Sequence, residues 1–329
     1  NIDPYSLYWQ PSPDTYKLEA YTDEGTFLWR HDMGYAIERG IWYSPYVVWD
    51  LDGDGKAEVA LKDGEGDPRG PDGRVMTGRE YVSVLDGETG QVRDRADWPH
   101  RDLIGRGPNG YNVASRNQIG IAYLDGKTPC LLVARGTYGV MVLVAYQFHD
   151  GKLQELWTWK NTEETEGNWR GQGAHWMHSG DIDQDGRDEV ILGSCVIDDD
   201  GKGLWTTGLG HPDRCFLTDV DPSRPGMEIF YVIEPPRQDD GVCVVDARTG
   251  EIVWKIGERT YHVGMGMCAD VNPMHPGSEC WAGEDPKGDP KGERYHNAPP
   301  RWLFTAKGEL LARDDKSYGS YNAVYWDGD

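Results

Sequence analysis

The chain has 329 residues, and 33 Lys plus Arg against 56 Asp plus Glu leave a formal net charge of −23, which excludes a nucleic-acid backbone as natural partner. A hydrophobic share of 38% supports a buried core, and 43 Gly and 14 Trp beside 5 Phe suit short strands joined by glycine turns, with little helix. The longest apolar run, VMVLVAY at 140–146, falls short of the ~18 residues a membrane span needs, so a soluble chain with no membrane partner is expected. It opens on NIDPYSLYWQ, without initiator Met or signal peptide, and reads as a mature or partial chain whose targeting segment is gone.

From residue 16 two local patterns alternate. A lone hairpin at 16–31, LEAYTDEGTFLWR, comes first, and then VVWDLDGDGKAEVALK places an acidic turn between two strands. The acidic-turn pattern returns as IAYLDGKTPCLLVARG, SGDIDQDGRDEVILGS, LTDVDPSRPGMEIFYV and CADVNPMHPGSECWAG, each ending in a short apolar strand. Between them stand glycine-turn hairpins that often close on Trp: VSVLDGETGQVRDRADW, VAYQFHDGKLQELWTW, VIDDDGKGLW, CVVDARTGEIVWKI and WLFTAKGELLARDD. Alternating apolar positions around turn residues predict antiparallel strands, four to a unit. Five such units follow the first hairpin, and another acidic turn begins at YNAVYWDGD. Radial four-stranded repeats predict a single β-propeller domain over 1–329, incomplete at its C terminus, rather than a sandwich.

In DLDGDGKAE the carboxylates Asp50, Asp52, Asp54 and Glu58 stand at offsets 0, 2, 4 and 8, and Asp181, Asp183, Asp185 and Glu189 repeat the spacing. Hard oxygens so close suit calcium. An EF-hand needs its bidentate Glu at offset 11, where this chain has Leu61 and Leu192, so a calcium sensor is excluded and a structural ion tying the turn is favoured over an empty acidic turn. Asp219, Asp221 and Glu228, and Asp270, Asn272 and Glu279, are weaker versions with Pro and Gly inserted, for which a hydrogen-bonded Asx turn is the alternative. The six cysteines form no CxxC pair, and most lie in apolar runs, so buried free thiols are expected. The Gly-rich insertion at 64–80 carries Arg69, Arg74 and Arg79, either a substrate-facing basic loop or a solvated one. Trp29, Trp157 and Trp254, at hairpin ends, are read as packing residues.

The stretches GQGAHWMHSGDIDQDGRDEVILGS, DDDGKGLWTTGLGHPD, DVDPSRPGMEIF and DARTGEIVW resemble rhamnogalacturonan lyases of polysaccharide lyase family 11, as do WDLDGDGKAEVALK, SRNQIGIAYLDGKTPCLLVARGTYGVMVLVAYQF and ADVNPMHPGSECWAGE. The resemblance implies an eight-bladed calcium-binding propeller, about five to six blades of it visible here, that cleaves pectin's rhamnose and galacturonate backbone by β-elimination. The chain departs from the pattern in lacking an N-terminal β-sandwich, in ending at WDGD, and in RGPNGYNVAS before Arg116.

Elimination removes the C5 proton of a uronate and expels the group at C4, so the carboxylate must be neutralised and a base placed near C5. With the resemblance, the catalytic candidates are His175, His178, His211, Arg135 and Tyr138, and the substrate-binding candidates are Arg116, Arg69, Arg74, Arg79 and Lys62. A structural imidazole remains the alternative for each His, a salt bridge within the channel for Arg135, and an ordinary strand-end lysine for Lys62. The expected partner is an acidic polysaccharide, the cofactor Ca2+, the location secreted or periplasmic, and the state monomeric. A non-catalytic glycan- or protein-binding calcium propeller, and a lyase for another uronic-acid polymer, are the rival readings; hydrolysis by paired carboxylates ranks last because turns and calcium account for the acids better.

Overall fold

Short apolar runs between glycine turns fold into antiparallel strands in which sequential neighbours pair. The computed structural model describes residues 9, 11–103, 110–289, 291–292, 295 and 298–314. Strands β1 (Lys17–Tyr21) and β2 (Phe27–Asp32) form a two-stranded sheet. Five four-stranded sheets follow, the first from β3 (Tyr46–Trp49), β4 (Glu58–Gly64), β5 (Glu80–Asp86) and β6 (Val92–Asp97). The next contains β7 (Asn117–Ala122), β8 (Cys130–Arg135), β9 (Val142–His149) and β10 (Lys152–Lys160). The third contains β11 (Gly173–Gly180), β12 (Glu189–Gly193), β13 (Cys195–Ile197) and β14 (Gly203–Thr206). The fourth contains β15 (Pro212–Thr218), β16 (Glu228–Ile233), β17 (Val242–Asp246) and β18 (Ile252–Lys255), and the last β19 (Val263–Ala269), β20 (Glu279–Glu284), β21 (Arg301–Phe304) and β22 (Leu310–Arg313). Among the described residues the one α-helix is α1 (Gly110–Ala114), and no helix is long and apolar enough to cross a membrane. The last predicted acidic turn, at 326–329, and residues 106–109 of RGPNGYNVAS lie outside the described residues.

Two compact units make up the chain, the described residues up to 164 with 198–202, and residues 165–197 with those from 203 onward. All six residues of β8, β16 and β20, the second strands of their sheets, are buried. Such runs are covered on both faces, as continuous rather than alternating hydrophobicity requires. In the second unit β11 lies beside β15 and β15 beside β19, and in the first β3 lies beside β7, so first strands neighbour first strands. All six cysteines are buried and free.

The closing strand of every sheet carries a one-residue bulge, at Leu28, Arg93, Leu156, Leu204, Val253 and Leu311, just past its turn in all but β10. The next residue is Trp in four sheets. Trp29 and Trp157 donate to the carbonyls of Gly87 and Asp199 at 2.9 Å in the first unit, and Trp205 and Trp254 to those of Ala247 and Ala306 at 3.1 and 2.8 Å in the second. Each indole covers a turn glycine, Gly90, Gly201, Gly250 or Gly308, whose added Cβ would approach it to 2.6–2.7 Å. The hairpin ending in ADW breaks the pattern: Asp94 holds the Trp position and accepts from the Leu153 N–H at 2.8 Å and Lys152 Nζ at 2.9 Å. Trp98 lies beyond β6, buried, with Nε1 donating to Asn117 Oδ1 at 2.9 Å.

Candidate functional site

Meander topology sorts the predicted residues to two ends of each sheet. Acidic turns and hairpin turns join strands one to two and three to four, so they share one edge; the connections between strands two and three, and between sheets, share the other. A strand such as β4, with 7 residues, separates the two edges by about 20 Å. Ions in the acidic turns would therefore be too far away to touch a ligand held by the connection edge.

At the connection edge of the second unit, three histidines and three carboxylates come together. His211 and His262 each precede a first strand, Glu234 and Asp285 each follow a second strand, and His175 and Asp213 stand near the starts of β11 and β15. His175 Nε2 is 3.1 Å from Asp213 Oδ1, and its ring meets that of His211 edge-on with centroids 4.7 Å apart. His211 Nε2 lies 3.0 Å from Glu234 Oε2, and His262 lies 3.6 Å from Glu234 Oε1 and 3.1 Å from Asp285 Oδ2. Gly264 lets β19 pass between the acids, since a Cβ there would fall 2.8 Å from Asp285 Oδ2 and 2.9 Å from Asp213 Oδ2.

Burial pushes the Asp213 carboxyl upward, but the hydrogen bond and charge of His175, with His211 and Arg214, outweigh it and hold the group at about 2. Burial opposes the charged forms of Glu234, Asp285 and His262 too, yet the pairings with His211 and between His262 and Asp285 dominate, lowering both acids and raising His262. His211 Nδ1 donates to the Gly173 carbonyl, so a neutral ring would turn a lone pair at Nε2 toward Glu234. That contact is favourable only with a proton or a cation on Nε2. His175, His211 and Asp213 present one ligand atom each within 4.8 Å of one another, a donor set that fits a divalent cation. His178 is elsewhere: its Nε2 contacts the Cys215 carbonyl at 2.8 Å, and burial lowers its pKa.

The first unit answers with cations. Glu80 receives Lys62 Nζ at 2.6 Å and Arg101 at 2.9 Å on one oxygen, and Arg135 on the other. Lys62 and Arg135 are buried, and Arg135 also donates to the Ala114 carbonyl at 2.6 Å. Burial brings Lys62 down to about 8 and Arg135 to about 10, while the three cations overcome burial and hold Glu80 well below the usual carboxylate range. Arg116 stacks on Trp42 at 3.7 Å, with Tyr138 5.5 Å away, and donates to Asn112 at 3.1 Å. In the 64–80 connection Arg69 pairs with Asp67 at 2.6 Å and covers Tyr35, Arg74 pairs with Asp72 at 3.0 Å and covers Trp9, and Arg79 lies largely exposed, 3.8 Å from Asp97.

The turns use their acids first on their own backbone. Asp50 accepts the N–H groups of Gly53, Asp54 and Gly55, and Asp181 those of Asp185 and Gly186. The buried closing acids Glu58, Glu189, Glu228 and Glu279 reach back to the N–H of Leu51, Ile182, Val220 and Val271 at 2.9–3.1 Å. Asp50, Asp52 and Glu58, and likewise Asp181, Asp183 and Glu189, bring carboxylate oxygens within 4.8 Å. Among the described residues no such acid triplet forms within the turns holding Asp219, Asp221 and Glu228 or Asp270, Asn272 and Glu279. Asp54 and Asp185 turn to the Lys56 and Arg187 N–H groups.

Sequence reasoning missed Glu80, Arg101, Asp213, Glu234, His262 and Asp285. The repeat itself held a signal for part of this set, because aligning strand ends equates His262 with His211 and Asp285 with Glu234.

Together these features define an all-β protein of repeated antiparallel sheets with a His–carboxylate centre at the connection edge. The family model for rhamnogalacturonan lyase family 11, C-terminal domain, matches residues 12–329, and the chain belongs to that family. It is similar to the rhamnogalacturonan exolyase YesX of Bacillus subtilis (strain 168), with 42% identity over 95% of this chain and 52% of that protein. The endolyase YesW of the same strain is 39% identical over 95% of this chain and 50% of its own length. Among solved structures, exotype YesX superposes with a TM-score of 0.82 at 39% identity, covering 91% of this chain and 51% of that one. The Bacillus licheniformis family 11 lyase gives 0.81 at 38% identity, with 91% and 52% covered. The chain spans about half the length of the curated relatives it matches.

Proposed function

We propose that the chain forms part of a rhamnogalacturonan lyase that cleaves the rhamnose–galacturonate backbone of pectin by β-elimination. Family membership supports the reaction class, and the observation that carries the reading is the contact of His211 Nε2 with Glu234, which calls for a proton or cation between them. His175, His211 and Asp213 would hold a divalent cation, which when bound neutralises a uronate carboxylate and acidifies its C5 proton. In this reading Glu234 orients His211, a basic side chain of the lyase takes the C5 proton, and His262, whose charged form is favoured by its contact with Asp285, would give a proton to the departing C4 oxygen. The adjacency of first strands within each unit supports reading the sheets as blades of one β-propeller, acting as a monomer on a secreted or periplasmic route. Calcium in the turn of Asp181, Asp183 and Glu189 is then scaffold, joining two strands far from the substrate.

The test is the appearance of an unsaturated uronate, followed in the near ultraviolet, on rhamnogalacturonan, with and without chelator. His175→Ala and Asp213→Asn are expected to abolish it. Folded chain that yields no unsaturated product, with divalent cations supplied, would overturn the reading.

A further inference from the structure

Of the two acid triplets that lie within a single acidic turn, the first is already provided with a positive charge. Arg93 Nη1 lies 2.7 Å from Glu58 Oε1 and 3.0 Å from Asp52 Oδ2. The remaining member, Asp50, has both oxygens engaged by backbone N–H groups. Arg93 is held from behind, its guanidinium 5.0 Å from the Phe148 ring. The position is singular in the repeat: it is the bulge of the closing strand, filled by Leu28, Leu156, Leu204, Val253 and Leu311 in the other sheets. Only the sheet of β3–β6 puts a charge there, one long enough to cross to the acidic turn.

We infer that Arg93 takes the place of the metal ion in the turn at 50–58, so that this turn is clipped by a guanidinium while its counterpart at 181–189, whose sheet has Leu204 at the bulge, is left to a cation. A calcium ion would need the same Asp52 and Glu58 oxygens at about 2.3–2.6 Å, in the volume the guanidinium fills. Two cations there would repel across a few ångströms, so the residues do not fit both. The turn at 219–228 shows the same device from a different position: Arg224 lies 3.3 Å from Glu228 and 3.2 Å from Asp246. The metal half of the inference rests on the proposed calcium reading of 181–189; the Arg93 half does not.

Calcium stoichiometry measured by equilibrium dialysis and calorimetry decides it. Asp52→Asn in the otherwise native chain is expected to leave the number of bound ions unchanged, and Arg93→Leu to add one ion. Adding Asp52→Asn to Arg93→Leu removes that extra ion. Leucine is the residue four of the other five sheets carry at this bulge, and Arg93→Gln serves as a second variant if Arg93→Leu fails to keep the native circular dichroism. Loss of one ion in Asp52→Asn alone, or no gain in folded Arg93→Leu and Arg93→Gln, would overturn the inference. Asp183→Asn, expected to lose one ion, separately tests the calcium reading of 181–189; should it lose none, that reading fails while the Arg93 arms still decide theirs.

Discussion

Replacing Glu80 by Gln tests whether one buried carboxylate holds the connection edge of the first unit together. Its partners Lys62, Arg101 and Arg135 have side chains 2%, 10% and 0% exposed, so water cannot take over from the lost anion. At an effective dielectric near 20 each contact is worth about 4 kcal/mol of attraction, set against the desolvation of all four groups. Breaking buried pairs of this kind costs about 3–5 kcal/mol, the loss expected for Glu80→Gln in urea unfolding followed by Trp fluorescence. Lys62→Met should be far milder, within about 1.5 kcal/mol of wild type or more stable, because both arginines still hold Glu80 and a desolvated ammonium is gone. The double variant should recover part of the Glu80→Gln loss. pH gives an independent reading. Lys62 titrates at about 8 in the folded chain against 10.5 unperturbed, so between those values the unfolded state binds more protons and stability rises with pH. That rise, about 3 kcal/mol if the group acted alone, should vanish in Lys62→Met. A Glu80→Gln chain within about 1 kcal/mol of wild type, or a Lys62→Met chain as damaged as Glu80→Gln, would refute the reasoning.

Gly264→Ala should drive a methyl group into the Asp213 and Asp285 carboxylates; on the proposed lyase reading, elimination on rhamnogalacturonan should then fall at least tenfold while far-ultraviolet circular dichroism stays native. The His262–Asp285 pair raises His262, so its stabilisation is complete below the ordinary histidine value of 6.5 and fades as pH climbs through the raised one; imidazole titration by NMR should show the upward shift disappear in Asp285→Asn. Gly250→Ala, whose methyl would meet the Trp205 ring at 2.7 Å, should lower stability by about 1–3 kcal/mol in denaturant melts. The six buried thiols should react with a thiol reagent only after unfolding, and one fast-reacting thiol in the native chain would contradict their burial.

The strands were legible because each repeat signals its own boundaries with an acidic turn, a buried apolar run and a glycine turn, and three of the five close on Trp. Trp29, Trp157 and Trp254 read correctly as packing residues, since an indole beside a bulge has a turn glycine to cover. Trp98 misled because residue type outweighed register, and only strand pairing shows that Asp94 stands in the Trp position. The site was half legible. His175 and His211 stood out as histidines beside glycines, whereas Asp213, Glu234 and Asp285 were hidden in a chain with 56 acidic residues. Lys62 and Arg135 were visible as charges, but no local pattern marked Glu80 as the shared acid, because it lies 18 residues from one and 55 from the other.

One position links the two units without reference to how they are placed. The residue just before the first strand is Arg116 in the sheet of β7–β10, and His211 and His262 in the sheets beginning with β15 and β19. A single backbone position therefore offers a permanent cation in one repeat and an imidazole in two others. The partners differ to match: Arg116 is stacked on Trp42, while His211 and His262 face Glu234 and Asp285. Guanidinium on an indole keeps its charge whatever binds nearby, whereas imidazole against carboxylate can exchange a proton or admit a cation. On the proposed lyase reading, a repeat that keeps its backbone at the connection edge can divide anion attraction from proton transfer by changing one side chain per sheet, and an Arg116→His exchange is then expected to raise KM more than it lowers kcat.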